Sequence, residues 1–131
     1  MIRLINLLIG LFIVFSSKQA QEEMGDSTVY EIVEQMPSFP GGDEALFEYV
    51  SQNIKYPPIA KQNGIHGRVI CTFIVERDGS ITNVWVVKRE EPTLDREAVR
   101  VIRSMPKWNP GKQNGKVVRC KYTLPISYKL Q

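Results

Sequence analysis

The feature that most constrains the fold is a pair of alternating apolar segments on either side of Asp78-Gly79. The first segment has apolar side chains at every second position: Val69, Cys71, Phe73 and Val75. A period of two predicts a strand with one buried face. Because an Asp-Gly pair tolerates positive φ, it reverses the chain into a second strand from Ile81 to about Arg89. The sequence therefore predicts a β-hairpin.

Two other segments have apolar residues at helical spacing. The first runs from Glu44 to about Asn53, with Asp43 as its predicted cap, and it has to end before Pro57 because the residue before a proline avoids the helical region. The second follows Pro92 and carries one apolar stripe: Leu94, Ala98, Val101, Ile102 and Met105. We expect this second helix to cover the hairpin.

The last alternating segment, residues 117–130, contains Pro125. Its apolar face carries Cys120, Tyr122, Leu124, Ile126 and Tyr128. A proline cannot donate to a neighbouring strand and is found mainly at sheet edges. The predicted fold is α+β, a three-stranded antiparallel sheet with two helices on one face and the last strand at an open edge.

The amino terminus resembles an export signal. Arg3 precedes an apolar segment from Leu4 to Phe15, which is shorter than the roughly twenty residues of a membrane-spanning helix. We expect residues 1–20 to be a cleaved signal peptide, or alternatively a retained short anchor that makes the only membrane contact. Residues 21–36 form an acidic arm with a weakly alternating segment at 28–34, and residues 37–131 form the domain.

Charge is distributed unevenly along the chain. Residues 21–54 contain eight acids and no lysine or arginine, whereas the basic residues concentrate after Ile54. A basic surface attracts acidic segments, nucleic acid or anionic head groups, and export argues against nucleic acid. The alternative is a solvated surface of mixed charge, balanced in part by the acidic arm.

Catalytic and metal-binding patterns are absent from the sequence. His66 is the only histidine, and it lies between glycines in a predicted loop. One histidine with two distant cysteines does not complete a zinc site. We therefore expect neither an enzyme nor a metal or other cofactor.

The motifs taken together resemble a known family. They are Tyr56-Pro57, Gly64-Ile65-x-Gly67-x-Val69, Phe73-x-Val75, Asp78-Gly79, Asn83-Val84 and Trp108-x-Pro110-Gly111-Lys112. Their order and spacing are similar to the carboxy-terminal domain of TonB, the energy transducer of Gram-negative envelopes. The flanking sequences PSFPGG, NIKYP, MPKW and YTLPISYKL resemble the form common in Bacteroidetes-type bacteria.

This resemblance implies a periplasmic domain without catalysis, which grips the short extended Ton box of an outer-membrane receptor by strand addition at its last strand. Residues 1–20 contain no histidine and residues 21–36 no proline, unlike the anchor and spacer of a typical transducer. We therefore expect a TonB-like binding module. The alternative is an assembly module that forms a homodimer through the open edge, or an edge paired with the chain's own arm.

The expected binding site follows from Pro125. If its missing N–H points outward, the alternation of an antiparallel strand also turns the backbone of Thr123 and Ser127 outward. The basic side chains expected to favour acidic partner residues are Arg119, Lys121 and Lys129. We also expect Tyr56 and Pro57 to take part in partner binding.

Two further expectations depend on the strands. If the first and last strands run side by side and antiparallel, as the family resemblance implies, Cys71 and Cys120 lie toward opposite ends and form no disulfide. In the second hairpin strand, either Trp85 or its neighbours Val84 and Val86 remain on the uncovered face.

Overall fold

The computed structural model describes residues 27–130. The predicted signal peptide and the first part of the acidic arm lie outside them. The elements are β1 (Val29–Tyr30), α1 (Asp43–Asn53), α2 (Pro58–Gln62), β2 (Gly67–Val75), β3 (Ile81–Lys88), α3 (Pro92–Arg103), β4 (Gly111–Gln113) and β5 (Lys116–Tyr128). The predicted α+β fold is confirmed. Two residues of the weakly alternating segment 28–34 form β1, and the structure adds the short strand β4. None of the helices in this range combines the length and apolarity that a membrane crossing requires.

The sheet has the strand order β1-β5-β2-β3, and β4 pairs with the start of β5. Strands β2 and β5 are antiparallel and stay in register from the pair Gly67 and Tyr128 to the pair Val75 and Cys120. Strand β3 is antiparallel to β2, with two register shifts. The hairpin predicted around Asp78-Gly79 therefore forms one half of the sheet.

The expectation that the last strand has one wholly open side requires a correction. Strand β1 pairs with β5 in parallel, with Val29 opposite Arg119 and Tyr30 opposite Cys120. Since Cys120 also pairs with β2, β1 lies on the opposite, outer side of β5. The weakly alternating arm thus adds a strand of two residues, and β5 is an edge only beyond position 120.

The core lies between the inner face of the sheet and the helices. The alternating residues predicted to face inward from β2 are buried, and four of the five stripe residues are buried on α3: Leu94, Ala98, Val101 and Ile102. Trp108 is 3% exposed and packs against Phe73 and Tyr122, with ring centroids 5.2 and 4.8 Å away. Trp108 therefore closes the core.

The turn between β2 and β3 also holds Trp108. Gly79 has φ 88°, and a Cβ there would lie 2.1 Å from the carbonyl oxygen of Trp108. The Trp108 amide donates to the Gly79 carbonyl at 2.8 Å. Only glycine fits both the turn and this close approach.

The predicted cap of α1 was wrong: Gly42 is the N-cap, and Asp43 is the first helical residue, where an acid suits the helix dipole.

The outer face of β3 carries the large side chain. Trp85 is 67% exposed and Val87 51%, whereas Val84 and Val86 are half-buried against the core. Trp85, and not the pair Val84 and Val86, therefore lies on the uncovered face.

Both cysteines are free and buried. Cys71 pairs with Leu124, and Cys120 pairs with Val75, four positions along the ladder. This separation is about 13 Å, beyond the roughly 7 Å limit for a bridge between Cα atoms. Burial raises the pKa of the Cys71 thiol to about 11, so both geometry and ionisation oppose a disulfide within the chain.

Candidate functional site: the outer edge of strand β5

The open edge of the sheet consists of residues 121–128. On one side this segment pairs with β2, and no strand within residues 27–130 pairs with its other side. The side chains of alternate residues are exposed: Lys121, Thr123, Pro125 and Ser127. Their neighbours Leu124 and Ile126 are buried, 4% and 1% exposed, and fix the strand to the core. The buried side chains of this segment therefore pack in the core and hold the strand in place.

Pro125 lies opposite Ile70 in the β2–β5 ladder. In an antiparallel pair, residues alternate between those bonded to the neighbouring strand and those whose backbone groups point away from it. Proline has no N–H, so it costs no hydrogen bond with β2 at a position whose N–H would point away from β2. Thr123 and Ser127 then belong to the outward set with Pro125, and each offers one N–H and one C=O to an added strand.

The arm holds the start of this edge. The Arg119 guanidinium donates to Glu76 at 2.7 Å and to the Ser27 carbonyl at 2.8 Å. The hydrogen bond from Arg119 holds the pKa of the Glu76 carboxyl below its usual range. Val33 is 7% exposed, and Gln35 exchanges backbone hydrogen bonds with Lys112. Residues 27–36 therefore dock on the domain instead of standing apart from it.

The predicted basic residues differ in their availability. Arg119 is half-buried and committed to Glu76 and the arm. Lys121 lies 3.8 Å from the exposed Glu31, a solvated pair of little strength. Lys129 is exposed just beyond the end of β5. Two of the three predicted basic residues therefore remain available: Lys121 at the start of the open segment and Lys129 just beyond its end.

Tyr56 and Pro57 lie elsewhere. The Tyr56 ring packs edge to face on Tyr128, with centroids 5.5 Å apart, and its hydroxyl donates to the Ile65 carbonyl. Tyr56 and Pro57 line a depression beside the first turns of α3. The structure gives this pair a packing role and does not bring it to the outer side of β5.

Sequence reasoning missed the contacts that attach the arm. The Glu76–Arg119 pair joins residues 43 positions apart, and Arg119 reaches Ser27 across 92 positions. No local pattern signals such a pair.

Within residues 27–130, no group of three potential metal ligands is present.

Known proteins show the same domain. The family model for the Gram-negative bacterial TonB protein C-terminal matches residues 52–130. Protein TonB of Xanthomonas campestris pv. campestris is 35% identical over 77 residues, which is 58% of this chain and 34% of that protein. Protein TonB of Helicobacter pylori is 32% identical over 83 residues, which is 63% of this chain and 28% of that protein.

Solved structures agree with the sequence matches. One NMR solution structure of Helicobacter pylori TonB-CTD matches with a TM-score of 0.52 at 26% identity, covering 70% of this chain and 87% of that structure. A second, shorter one gives a TM-score of 0.51 at 28% identity, covering 67% and 92%. The matched region is thus about a third of the curated TonB proteins but nearly all of their solved carboxy-terminal domain. The chain belongs to the family of Gram-negative bacterial TonB C-terminal domains.

Proposed function

We propose that this chain binds short, extended segments of outer-membrane receptors by strand addition to the outer side of β5. In this proposal it acts in the periplasm, without catalysis of its own, as part of energy-dependent transport across the outer membrane. The observation that carries the proposal is the free side of residues 121–128, next to an unbroken ladder with β2.

The backbone of this segment supplies what strand addition needs. An added strand gains its affinity from main-chain hydrogen bonds and its specificity from side chains at alternate positions. Thr123 and Ser127 provide outward groups on either side of Pro125, and Lys121 and Lys129 favour acids in the partner. The parallel pairing of β1 with Arg119 and Cys120 supports the idea that this side accepts a strand.

Membership of the TonB C-terminal family supports the choice of partner. The match covers 34% and 28% of the two curated TonB proteins. We therefore propose, from family membership, both the receptor segment as partner and the periplasm as location.

One observation favours a second candidate, assembly through the same edge. Residues 29–30 of this chain already add to β5, so the corresponding residues of another copy fit the same geometry. Sedimentation at increasing concentration distinguishes the two functions: a receptor-binding module stays monomeric without a peptide, and an assembly module does not.

Titration of a receptor's Ton-box peptide tests the proposal with two variants at one position. Ser127→Pro removes one outward N–H, and Ser127→Ala keeps it as the matched control. Because one hydrogen bond contributes about 0.5–1.5 kcal/mol, we expect Ser127→Pro to weaken binding roughly three- to tenfold and Ser127→Ala to leave it unchanged. Equal affinities of the two variants would contradict strand addition at this position.

A further inference from the structure

A groove runs between β3 and α3, at the edge of the sheet opposite β5. Its volume is about 880 Å³, within the range of sites that hold a ligand. It is lined by β3 from Val84 to Val86 and by α3 along its whole length from Pro92 to Arg103. A helix of 12 residues is about 18 Å long, which is the span of roughly five extended residues. The shape therefore suits a chain segment.

The groove has an apolar floor. Val84, Val86 and Val99 line it and are each half-buried. Val84 and Val86 pack against the core on one side, but β3 is the last strand of the sheet, so their outer surfaces stay open. Trp85 stands at the rim, 67% exposed. A partner that covers these side chains removes apolar surface from water.

Arginines outnumber acids around the groove, four to three. Four arginines line it: Arg89, Arg96, Arg100 and Arg103. Arg100 is paired with Glu97 at 2.6 Å, whereas Arg89 and Arg103 make no ion pair with any residue of the range 27–130.

Two of the three acids that line the groove, Glu91 and Asp95, accept backbone amides at the start of α3. The Glu91 carboxylate accepts the amides of Thr93 and Leu94 at the start of α3. The Asp95 carboxylate accepts the Glu90 amide at 3.0 Å. These two carboxylates cap the helix start. The guanidinium groups of Arg89, Arg96 and Arg103, which have no ion pair within residues 27–130, remain available to carboxylates of a partner.

The backbone of β3 is a poor site for strand addition. Its pairing with β2 shifts between Thr72 and Ile74 and again between Ile70 and Cys71, and Asn83 has φ 50°. Bulges of this kind twist an edge strand away from a flat partner. Recognition in this groove therefore depends on side chains.

We infer that the groove between β3 and α3 binds an acidic segment of another protein chain. Apolar side chains of that segment contact Val84, Val86 and Val99, and its carboxylates pair with Arg96 and Arg103. This site is separate from the outer edge of β5 and does not depend on the function proposed for that edge.

The probe is a synthetic peptide with blocked ends, Glu-Val-Glu-Leu-Glu-Val-Glu, and its counterpart with lysine at every glutamate. Binding is followed by the fluorescence of Trp85, which lies at the rim, while Trp108 is buried. The acidic peptide is expected to bind the wild-type chain and the lysine peptide to bind at least about tenfold more weakly.

Two double variants with the same charge change locate the site. Arg96→Glu with Arg103→Glu is expected to weaken binding of the acidic peptide about tenfold or more. The control, Lys61→Glu with Lys116→Glu, alters exposed residues that do not line the groove and is expected to leave binding unchanged. If the arginine reversals lower the melting temperature, Arg96→Gln with Arg103→Gln gives the same comparison with less perturbation.

Several results overturn the inference. Equal weakening by both double variants shows a response to net charge alone. Loss of binding in Ser127→Pro places the peptide on β5. Self-association of the wild-type chain that the two arginine reversals abolish assigns the groove to a second copy.

Discussion

The two edges of the sheet differ in regularity. Strand β5 stays in register with β2 from position 120 to 128, whereas β3 shifts its register twice against the same strand. Bulges blunt an edge against further pairing. Both β3 and β5 have an unpaired side, but of these two strands only β5, over residues 121–128, combines it with an unbroken register against β2.

The two edges also differ in what surrounds them. The outer side of β5 adjoins β1, a strand already added in parallel. The outer side of β3 adjoins a groove of valines and arginines. We therefore propose that one edge recognises the backbone of a partner and the other its side chains.

The largest expected effect comes from a proline on the bonded side of β5. Ile126 is 1% exposed and pairs with Val69, and the alternation set by Pro125 directs its N–H toward β2. Ile126→Pro therefore removes a ladder bond, at a cost of about 3 kcal/mol or more. Ile126→Ala is the matched control for the lost side chain. Urea unfolding should show Ile126→Pro to be the less stable of the two by about that amount, and equal stabilities would mean that the ladder alternates the other way.

Removing the arm should widen the open edge. A chain that begins at Met36 loses β1 and the buried Val33 side chain, at a cost of about 2 kcal/mol, and it should still fold because the core cluster of buried residues begins at Phe39. Positions 119 and 120 become free, so a Ton-box peptide should bind more tightly or the chain should self-associate. Thermal melting and peptide titration measure both effects. Unchanged binding and unchanged association would show that β1 does not compete for this edge.

Acid should loosen the start of the same edge. The folded-state pKa of Glu76 is lowered, chiefly by the hydrogen bond from Arg119. The stabilisation is present above the unfolded pKa of about 4.3 and is lost as the pH falls through the folded value. Glu76→Gln should cost roughly 1 kcal/mol at pH 7 and flatten the fall in stability toward pH 3. Urea unfolding at both pH values measures it, and parallel pH profiles for the variant and the wild type would exclude Glu76 as the cause.

The smallest expected effect concerns β3. Trp85 is largely exposed, so Trp85→Ser should change the unfolding free energy by no more than about 0.5 kcal/mol and leave Ton-box binding unchanged. Ton-box binding is measured by calorimetric titration, because this variant lacks the Trp85 fluorophore. A weaker Ton-box complex would place the receptor segment on β3, and the two edges would then have exchanged roles.

Local periodicity explains why much of the fold was predictable. The alternation in β2 and β5 and the stripe on α3 depend on neighbours within one element, and Asp78-Gly79 specifies a turn by its own conformational tolerance. The Trp85 alternative remained open because alternation tells which residues share a face but not which face is covered.

The parts that escaped prediction depend on distant contacts. The segment 28–34 was expected to alternate as a strand, but only two of its residues form β1, and Arg119 attaches the arm across 92 positions. The bulges of β3 and the groove beside it arise from how strand and helix pack. For the site, Pro125 and the family resemblance both suggested the edge, whereas the packing of Tyr56 on Tyr128 required the structure.

Amide hydrogen exchange with a bound Ton-box peptide distinguishes the two sets of amides in β5. We expect new protection at Thr123 and Ser127, whose amides the alternation set by Pro125 directs outward, and little change at Leu124 and Ile126, whose amides it directs toward β2. Protection along Val84–Val86 instead, or no added protection at Thr123 and Ser127 at saturating peptide, would contradict the assignment of β5 as the strand-binding edge.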